Sequence, residues 1–159
     1  MRLVKINDSL YTKYILADRE VLQKTTRPYA LVLKLEYKNT IYDFAIPLRS
    51  NINASSPRID FFPLPTRRTT LDGRRHGLHI IKMVPMSKEF SIAYLADNDW
   101  DRSIKSYIFA HRNEIIDKIK TYLKNYENGI IPKYSTNLDT LLTVLEEEKR
   151  KISSSHTNL

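Results

Sequence analysis

The segment IPLRSNI, residues 46–52, closes an apolar run with Arg49 beside Ser50. A guanidinium carries a permanent charge and donates paired hydrogen bonds to phosphate oxygens, and a hydroxyl both donates and accepts. The same two residue types are also common in surface turns. The segment therefore leaves two interpretations open, a turn or a place where a phosphate is bound and reacts.

A second group of candidate residues lies in PTRRTTLDGRRHGLHIIK, residues 65–82, where Asp72 is the only acidic residue. Glycines and other turn formers predict a loop that runs into a strand. A long basic loop can follow a sugar–phosphate backbone, and the alternative is a solvated loop whose arginines pair with distant carboxylates. We favour phosphate binding through Arg67, Arg68, Arg74, Arg75 and Lys82.

The chain lacks the residues that several other kinds of chemistry require. The sequence contains no cysteine, which removes disulfides, thiolate metal sites and cysteine nucleophiles. His76 and His79 have a spacing that suits one face of a helix, but they lie in a loop-to-strand segment with no acidic cluster nearby. We therefore expect neither a metal nor a cofactor. The sequence also has no GxSxG and no P-loop.

Metal-free cleavage of RNA remains, because RNA supplies its own nucleophile, the 2′-hydroxyl. The protein must remove that proton, protonate the leaving 5′-oxygen and offset the charge that develops on phosphorus. Taken singly, each candidate also has a structural explanation, such as a core tyrosine, a turn-capping serine or a histidine bonded to the backbone. The candidates are Tyr11, Arg27, Arg49, Ser50, His76, His79 and Lys82, with Tyr29 available to stack or donate.

Composition agrees with a polyanionic partner. The 159 residues carry a formal net charge of +8, which favours a nucleic acid over a basic protein without such a partner. Apolar residues make up 42% of the chain, enough for the core of one globular domain. No stretch has the length of a signal-peptide core or a membrane helix, so we expect a cytoplasmic protein with no membrane contact.

The elements that position these residues change character along the chain. Residues 1–96 are predicted to be mostly strand, with residues 3–6 as the first strand. A helix is predicted over residues 8–22, capped by Asp8 or Ser9. Residues 29–37 and 40–48 are predicted to form a hairpin around Lys38 and Asn39. Leu31, Leu33 and Leu35 are expected on one face of that hairpin. Residues 59–62 and 78–84 are predicted as further short strands.

The second half has helical periodicity. Apolar residues from Trp100 to Tyr126 predict one long helix that ends before Gly129 and Pro132, and residues 137–152 predict a last amphipathic helix. We expect one domain, 1–152, that is sheet-rich over 1–96 and helical over 97–152, followed by a polar tail, 153–159. The predicted fold class is α+β, with a partly closed, barrel-like antiparallel sheet and helices packed against it.

Four segments, in order, carry a resemblance to a known family. They are SLYTKYI near the N-terminus, TTRPYALVLKLEY, FAIPLRSNI and GLHIIKMVPM, with a long helix following from Trp100. Together they resemble the ToxN-type endoribonuclease toxins of type III toxin–antitoxin and phage abortive-infection systems, which include AbiQ, CptN and TenpN. The resemblance covers residues 1 to about 127, and the histidine-containing HGLHIIKM is most similar to the TenpN branch.

The resemblance implies a sheet core related to the Kid/MazF barrel with added helices. It also implies metal-independent RNA cleavage that leaves 2′,3′-cyclic phosphate and 5′-hydroxyl ends. A small repeated pseudoknot RNA would inhibit the toxin, which would also process the precursor of that RNA and join it in a protein–RNA assembly.

Carried over by position, the family's active-site serine falls on Ser50, its basic residue at the strand start on Arg27, and its helix tyrosine on Tyr11. Two departures matter, since Arg49 stands where the family often has Thr and Arg27 where it often has Lys. An arginine is a poor general base, so Arg27 is expected to stabilise phosphate charge. His76 and His79 are then the better candidates for the base.

Two other functions stay open. A non-catalytic basic RNA-binding module would use the same loop, and alanine at Ser50 separates it from an enzyme. A DNA-binding regulator is less well supported, because acidic residues interrupt the basic ones on the long helix and no helix-turn-helix spacing is present.

Overall fold

The protein, described by a computed structural model over residues 1–157, is built on an antiparallel sheet flanked by helices. The strands are β1 (Arg2–Ile6), β2 (Tyr29–Tyr37), β3 (Thr40–Asn53), β4 (Phe62–Pro63), β5 (Arg74–Leu78), β6 (Val84–Met86) and β7 (Ser91–Ala93). The helices are α1 (Asp8–Ala17), α2 (Asp99–Ala110), α3 (Arg112–Glu127) and α4 (Leu138–Thr157).

The strand order is β4-β5-β3-β2-β1-β7, and β6 pairs with β3 beside β5. Every pairing is antiparallel, and the sheet stays open between β4 and β7. The predicted α+β class with an antiparallel sheet is confirmed. Within residues 1–157, none of the helices has both the length and the apolar character needed to cross a bilayer.

The predicted hairpin is present, and its second strand is longer than expected. Lys38 and Asn39 have φ of 50° and 60°, the left-handed conformation that a two-residue hairpin turn requires. β3 does not end at residue 48 but continues to Asn53, because β5 pairs with residues 48–53 and satisfies their backbone groups. The segment IPLRSNI is therefore part of a strand, and the prediction that a strand ends there was wrong.

The leucine pattern of β2 is broken by a bulge. Leu31 and Leu35 are 2% and 1% exposed, whereas Leu33 is 49% exposed. The register with β3 shifts between Val32 and Leu35, and Lys34 has φ of 56°. An inserted residue reverses which face the following side chains occupy, so Leu31 and Leu35 join different core clusters. The expectation of one leucine face was wrong for this reason.

Helix α1 is shorter than the predicted 8–22. Its cap is Asn7, whose side chain accepts from the Leu10 amide at 3.0 Å, and the helix stops at Ala17. Asp18 is extended because its carboxylate accepts from the backbone amides of Glu20 and Asn137, at 2.9 and 2.7 Å. These bonds compete with a further helical turn.

The region predicted as one helix from Trp100 is two helices, which meet at His111. The His111 ring stacks on Tyr107 with centroids 4.1 Å apart, and its Nδ1 donates to the Tyr107 carbonyl at 2.8 Å. The last helix, predicted to end at residue 152, continues to Thr157. Residues 158–159 of the predicted polar tail lie outside the described residues.

Two apolar clusters hold the helices to the strands. α2 and α3 pack in the first cluster and α1 in the second, while α4 contributes to both, with Leu138 and Leu142 in the first and Leu141 and Leu145 in the second. The strands are therefore fixed by helices from both halves of the chain.

Gly77 lies at a close approach of three strands, where we expect alanine to destabilise the fold. A Cβ at this position would lie 2.7 Å from the Phe62 carbonyl oxygen and 3.1 Å from Phe61 Cδ2. The carbonyl belongs to β4, which pairs with β5 here and cannot move alone. Gly77→Ala should cost about 1–3 kcal/mol of unfolding free energy, measured by urea titration. An unchanged midpoint would contradict this packing.

Candidate active site

A cavity of about 760 Å³ opens where the C-terminal half of β3 meets the chain after β5. Residues 78–84, predicted as one strand, leave the sheet after Leu78 and form a short 3₁₀ turn at Ile80–Lys82 before β6 begins. This turn places His79 and Lys82 on the cavity wall. The polar or titratable residues on the wall include Glu20, Arg49, Asn51, Asn53, Asp60, Arg74, His79, Lys82, Lys133 and Tyr134.

Arg49 and His79 make the central contact of this cavity. Nη1 of Arg49 lies 3.3 Å from Nδ1 of His79. Because a guanidinium only donates, Nδ1 accepts and the imidazole proton resides on Nε2. The contact joins a predicted charge stabiliser to a predicted base, thirty positions apart in the sequence.

Positive charge is concentrated around Arg49. Burial lowers the pKa of Arg49, and the charges of Arg27 and Arg74 lower it further. Arg27 Nη1 donates to the Leu48 carbonyl at 2.9 Å, and its buried Nε has no partner among the residues the structure describes. Since like charges held together repel, a phosphate in this place would relieve the repulsion. The geometry therefore favours an anion.

His79 is neutral in this environment. It is 4% exposed, and burial lowers its pKa to about 3, with the charges of Arg49, Lys82 and Arg27 acting in the same direction. A neutral imidazole has the lone pair that a base requires. A bound phosphate would add negative charge beside it and so raise its pKa.

The lowered pKa of His79 makes the fold sensitive to acid. An unfolded histidine titrates near 6.5, so between pH 6.5 and 3 the unfolded chain binds a proton that the folded chain does not. Stability is retained above this range and falls as the pH falls through it. Between pH 7.5 and pH 5 we expect the titration of His79 to lower the free energy of unfolding by about 2 kcal/mol. Urea unfolding of wild type and His79→Asn at both pH values measures this, and an equal acid loss in the two proteins would contradict it.

Ser50 lies beside Arg49 at a β-bulge. The register of β3 with β5 passes from Arg49↔Gly77 to Ile52↔Arg75, so Ser50 and Asn51 together oppose His76. Arg49 and Asn51 line the cavity, whereas Ser50 is half-buried and does not. Bulges of this kind re-aim side chains near functional sites. The structure thus brings Arg49 and His79 together, and it places Ser50 next to Arg49 in the chain but off the cavity wall.

His76 is separated from His79. Its Nδ1 donates to the Pro65 carbonyl at 2.7 Å, and its ring lies 6.2 Å from that of Trp100. Burial lowers its pKa. His76 lies within β5 and does not line the main cavity, whereas His79 lies directly after β5 and does. The two histidines therefore cannot share one role.

The predicted basic loop is divided between two places. Arg74 lines the main cavity. Arg67 and Arg68 line a second cavity of about 570 Å³ with Trp100, and the Arg67 guanidinium lies 5.8 Å from the indole centroid. Arg75 is exposed and donates to the Arg74 carbonyl. One continuous basic strip is thus absent from the described loop.

Three other predicted residues are buried. Tyr29 is in the core, so its ring is not available to stack on a base. Tyr11 is also buried, and its hydroxyl donates to the Leu22 carbonyl at 2.7 Å. Lys82 is buried with its ammonium 2.7 Å from Glu20. Lys82 therefore neutralises Glu20, and a phosphate would compete with that carboxylate for it.

The sequence analysis missed Glu20, Asp60, Lys133 and Tyr134 on the cavity wall. Asp60 is buried, and burial raises the pKa of its carboxyl. Glu20, Lys133 and Tyr134 come from segments outside residues 46–82, and Asp60 lies within that range in the short 3₁₀ turn before β4. Within residues 1–157, no three His, Asp or Glu side chains gather as metal ligands would.

Comparison with known proteins gives structural matches. No protein-family model matches the chain, and no curated protein matches it in sequence. One solved structure is of a bacterial type III toxin–antitoxin system in which a non-coding RNA pseudoknot selectively inhibits the toxin. It has a TM-score of 0.73 at 16% identity and covers 93% of this chain and 97% of its own.

AbiQ, a lactococcal anti-phage endoribonuclease of a type III toxin–antitoxin system, has a TM-score of 0.66 at 14% identity, covering 97% of this chain and 98% of its own. A structure from a bacterial antiviral system that is regulated by a processed non-coding RNA matches with a TM-score of 0.64 at 16% identity. The match covers 90% of this chain and 96% of that structure's chain. These matches confirm the α+β, ToxN-like fold, whereas the relation to the Kid/MazF barrel and the TenpN branch stay predictions. Over nearly its whole length, the chain has the fold of AbiQ and of these toxin–antitoxin and antiviral proteins.

Proposed function

We propose that the protein is an endoribonuclease toxin of a type III toxin–antitoxin system that acts in phage defence. Its fold matches that of AbiQ, an endoribonuclease of such a system, over 97% of the chain. The observation that carries the proposal is the cavity that joins Arg49, Arg74 and His79 at the strand segment where the family resemblance places its active site.

In the proposed reaction the 2′-hydroxyl of RNA attacks the adjacent phosphorus. Arg49 moves its hydrogen bond from His79 to a phosphate oxygen, which leaves Nδ1 of His79 free to take the 2′-proton. The bond from the 2′-oxygen to phosphorus forms and the bond to the 5′-oxygen breaks, and that oxygen takes a proton from a water molecule in the cavity. The hydroxide left behind takes the proton that His79 removed, so His79 returns to its neutral form. The products are a 2′,3′-cyclic phosphate and a 5′-hydroxyl, and no step uses a metal.

The arginines supply the charge stabilisation that this reaction requires. Arg49 and Arg74 lie on the cavity wall. Arg27, which donates to the Leu48 carbonyl, adds positive charge close to Arg49. Preorganised donors of this kind act most strongly where burial has removed competing water. Ser50 is included in the proposed site on the strength of the resemblance and of its position beside Arg49.

The proposed partner is a small, repeated pseudoknot RNA that inhibits the toxin and whose precursor the toxin cuts. A type III toxin with this fold is inhibited by a non-coding RNA pseudoknot. In our chain an RNA seated on Arg49 and Arg74 would fill the cavity and exclude other substrates, and Arg67, Arg68 and Trp100 offer a second contact. The assembly would be a protein–RNA hetero-oligomer in the cytoplasm, where its RNA substrates are.

Ser50→Ala, assayed beside wild type, tests the proposed activity and the inclusion of Ser50 in the site. We expect the variant to lose toxicity on expression and cleavage of an RNA pool, while its affinity for RNA stays within about twofold. The matched control is Ser55→Ala, an exposed serine on the same cavity wall whose hydroxyl donates to the Asn53 side chain. Tight RNA binding without cleavage or toxicity in wild type would instead support a non-catalytic RNA-binding module.

A further inference from the structure

We propose that Tyr134 is a stacking platform for one unpaired base of the RNA, next to the phosphate held by Arg49. This inference rests on the proposed function and adds to it a residue that selects substrate. Tyr134 lines the cavity together with Arg49, Arg74 and His79. Tyr134 is 61% exposed, unlike the buried Tyr11 and Tyr29.

The backbone holds Tyr134 in a conformation that tyrosine rarely adopts. Its φ is 69°, and it is the third residue of a turn closed by the Ser135 amide, which donates to the Pro132 carbonyl at 3.2 Å. Glycine or asparagine is preferred at such a position. A bulky residue kept there at the edge of a cavity indicates that the side chain serves a purpose other than folding.

The turn is fixed relative to the reacting groups. Thr136 is fully buried, its amide donates to the Ile81 carbonyl at 2.9 Å, and its hydroxyl donates to the Met83 carbonyl. Ile81 and Met83 flank Lys82 and lie two and four residues after His79. The chain that follows Tyr134 is therefore anchored to the same segment that carries the proposed base.

The charges around the ring select a nucleotide as its partner. The Lys133 ammonium lies 5.1 Å from the ring centroid, and Arg74 lines the same cavity. Aromatic faces beside cationic groups are the arrangement that binds single-stranded nucleic acid, with the base on the ring and the phosphates on the cations. Ile130 and Ile131 are exposed in the same loop and extend the apolar surface.

The test uses Tyr134→Asn, with Tyr134→Phe and Phe109→Asn as controls. Loss of one stacked base should weaken binding of a non-cleavable, 2′-deoxy-substituted single-stranded RNA by about 5- to 150-fold. Tyr134→Phe should bind as wild type does. Phe109 is also exposed, at 55%, but lies on α2 outside this cavity, so Phe109→Asn should leave RNA affinity unchanged.

Two further measurements separate stacking from a structural role. Because asparagine suits the turn, the melting temperature of Tyr134→Asn should stay equal to that of wild type or rise by up to about 4 °C. An abasic nucleotide placed in turn along the RNA should weaken wild-type binding at one position and have no effect there on Tyr134→Asn.

A fall in melting temperature with unchanged affinity would overturn the proposal, as would equal abasic effects in both proteins. Wild-type affinity in Tyr134→Asn would do the same, and would leave the exposed loop as a surface for a protein. None of these outcomes depends on cleavage, so failure of the platform and failure of the ribonuclease function are distinguishable.

Discussion

Replacing Arg49 by alanine should lower the rate of RNA cleavage by about 100- to 1000-fold, the usual cost of removing one preorganised charge-stabilising donor. Arg49 lies in the cavity with its guanidinium 3.3 Å from His79, and the charges of Arg27 and Arg74 repel it. A phosphate bound at this position would be stabilised by the charges of all three guanidinium groups. The measurement is single-turnover cleavage of a defined RNA, with RNA affinity measured in parallel.

Arg75→Ala is the matched control for this prediction. Arg75 belongs to the same basic segment as Arg74, but it is exposed and does not line the cavity. Its loss should weaken RNA binding slightly and leave the single-turnover rate unchanged. Equal rate losses in both variants would show that Arg49 contributes only general positive charge. Arg49→Lys should recover part of the rate, because an ammonium keeps the charge but not the paired donors.

Replacing His79 by asparagine should lower the single-turnover rate by about 100- to 10,000-fold, as expected for loss of a general base. The amide oxygen of asparagine can accept from Arg49 in place of Nδ1, so the geometry of the cavity is kept while the base is lost. Since the pKa of His79 in the free protein is about 3, kcat/KM should stay level from pH 8 to 5 with no inflection near 6.5.

His76→Asn is the corresponding control. His76 donates to the Pro65 carbonyl, a bond that the asparagine amide can also make, and its ring lies near Trp100 and does not line the main cavity. We expect this variant to cleave RNA at more than about a tenth of the wild-type rate, well above the loss of a general base. A larger loss in His76→Asn than in His79→Asn would reverse the assignment and return the base to the Trp100 side.

The sequence was sufficient for the parts of the fold that rest on local signals. The hairpin at Lys38 and Asn39 follows from two turn residues between apolar runs, and the helices follow from periodicity. The bulge in β2 has no local signal, because lysine is not a residue type that indicates the left-handed backbone conformation that Lys34 adopts. The exposure of Leu33 was missed because of this bulge. The break at His111, where the ring bonds the Tyr107 carbonyl, was also missed.

The candidate site likewise has parts that the sequence predicted and parts that it did not. Arg49, Arg74 and His79 were recognised from their chemistry and lie in one cavity. The separation of His76 from His79 depends on where β5 ends, which is decided by pairing with β3 and β4. The pairing of Lys82 with Glu20 spans 62 positions, and no local pattern predicts it. Tyr134 was missed because its surroundings in the chain carry no motif.

The most direct test of the central claim, that Arg49 and His79 form a metal-independent ribonuclease site, is cleavage of a mixed RNA pool by the purified protein in excess EDTA. The end groups of the fragments are identified, and Arg49→Ala is assayed beside wild type. We expect wild type to give 2′,3′-cyclic phosphate and 5′-hydroxyl ends and the variant to give almost none. Cleavage that stops in EDTA and returns with a divalent cation, or fragments with 5′-phosphate ends, would contradict the claim.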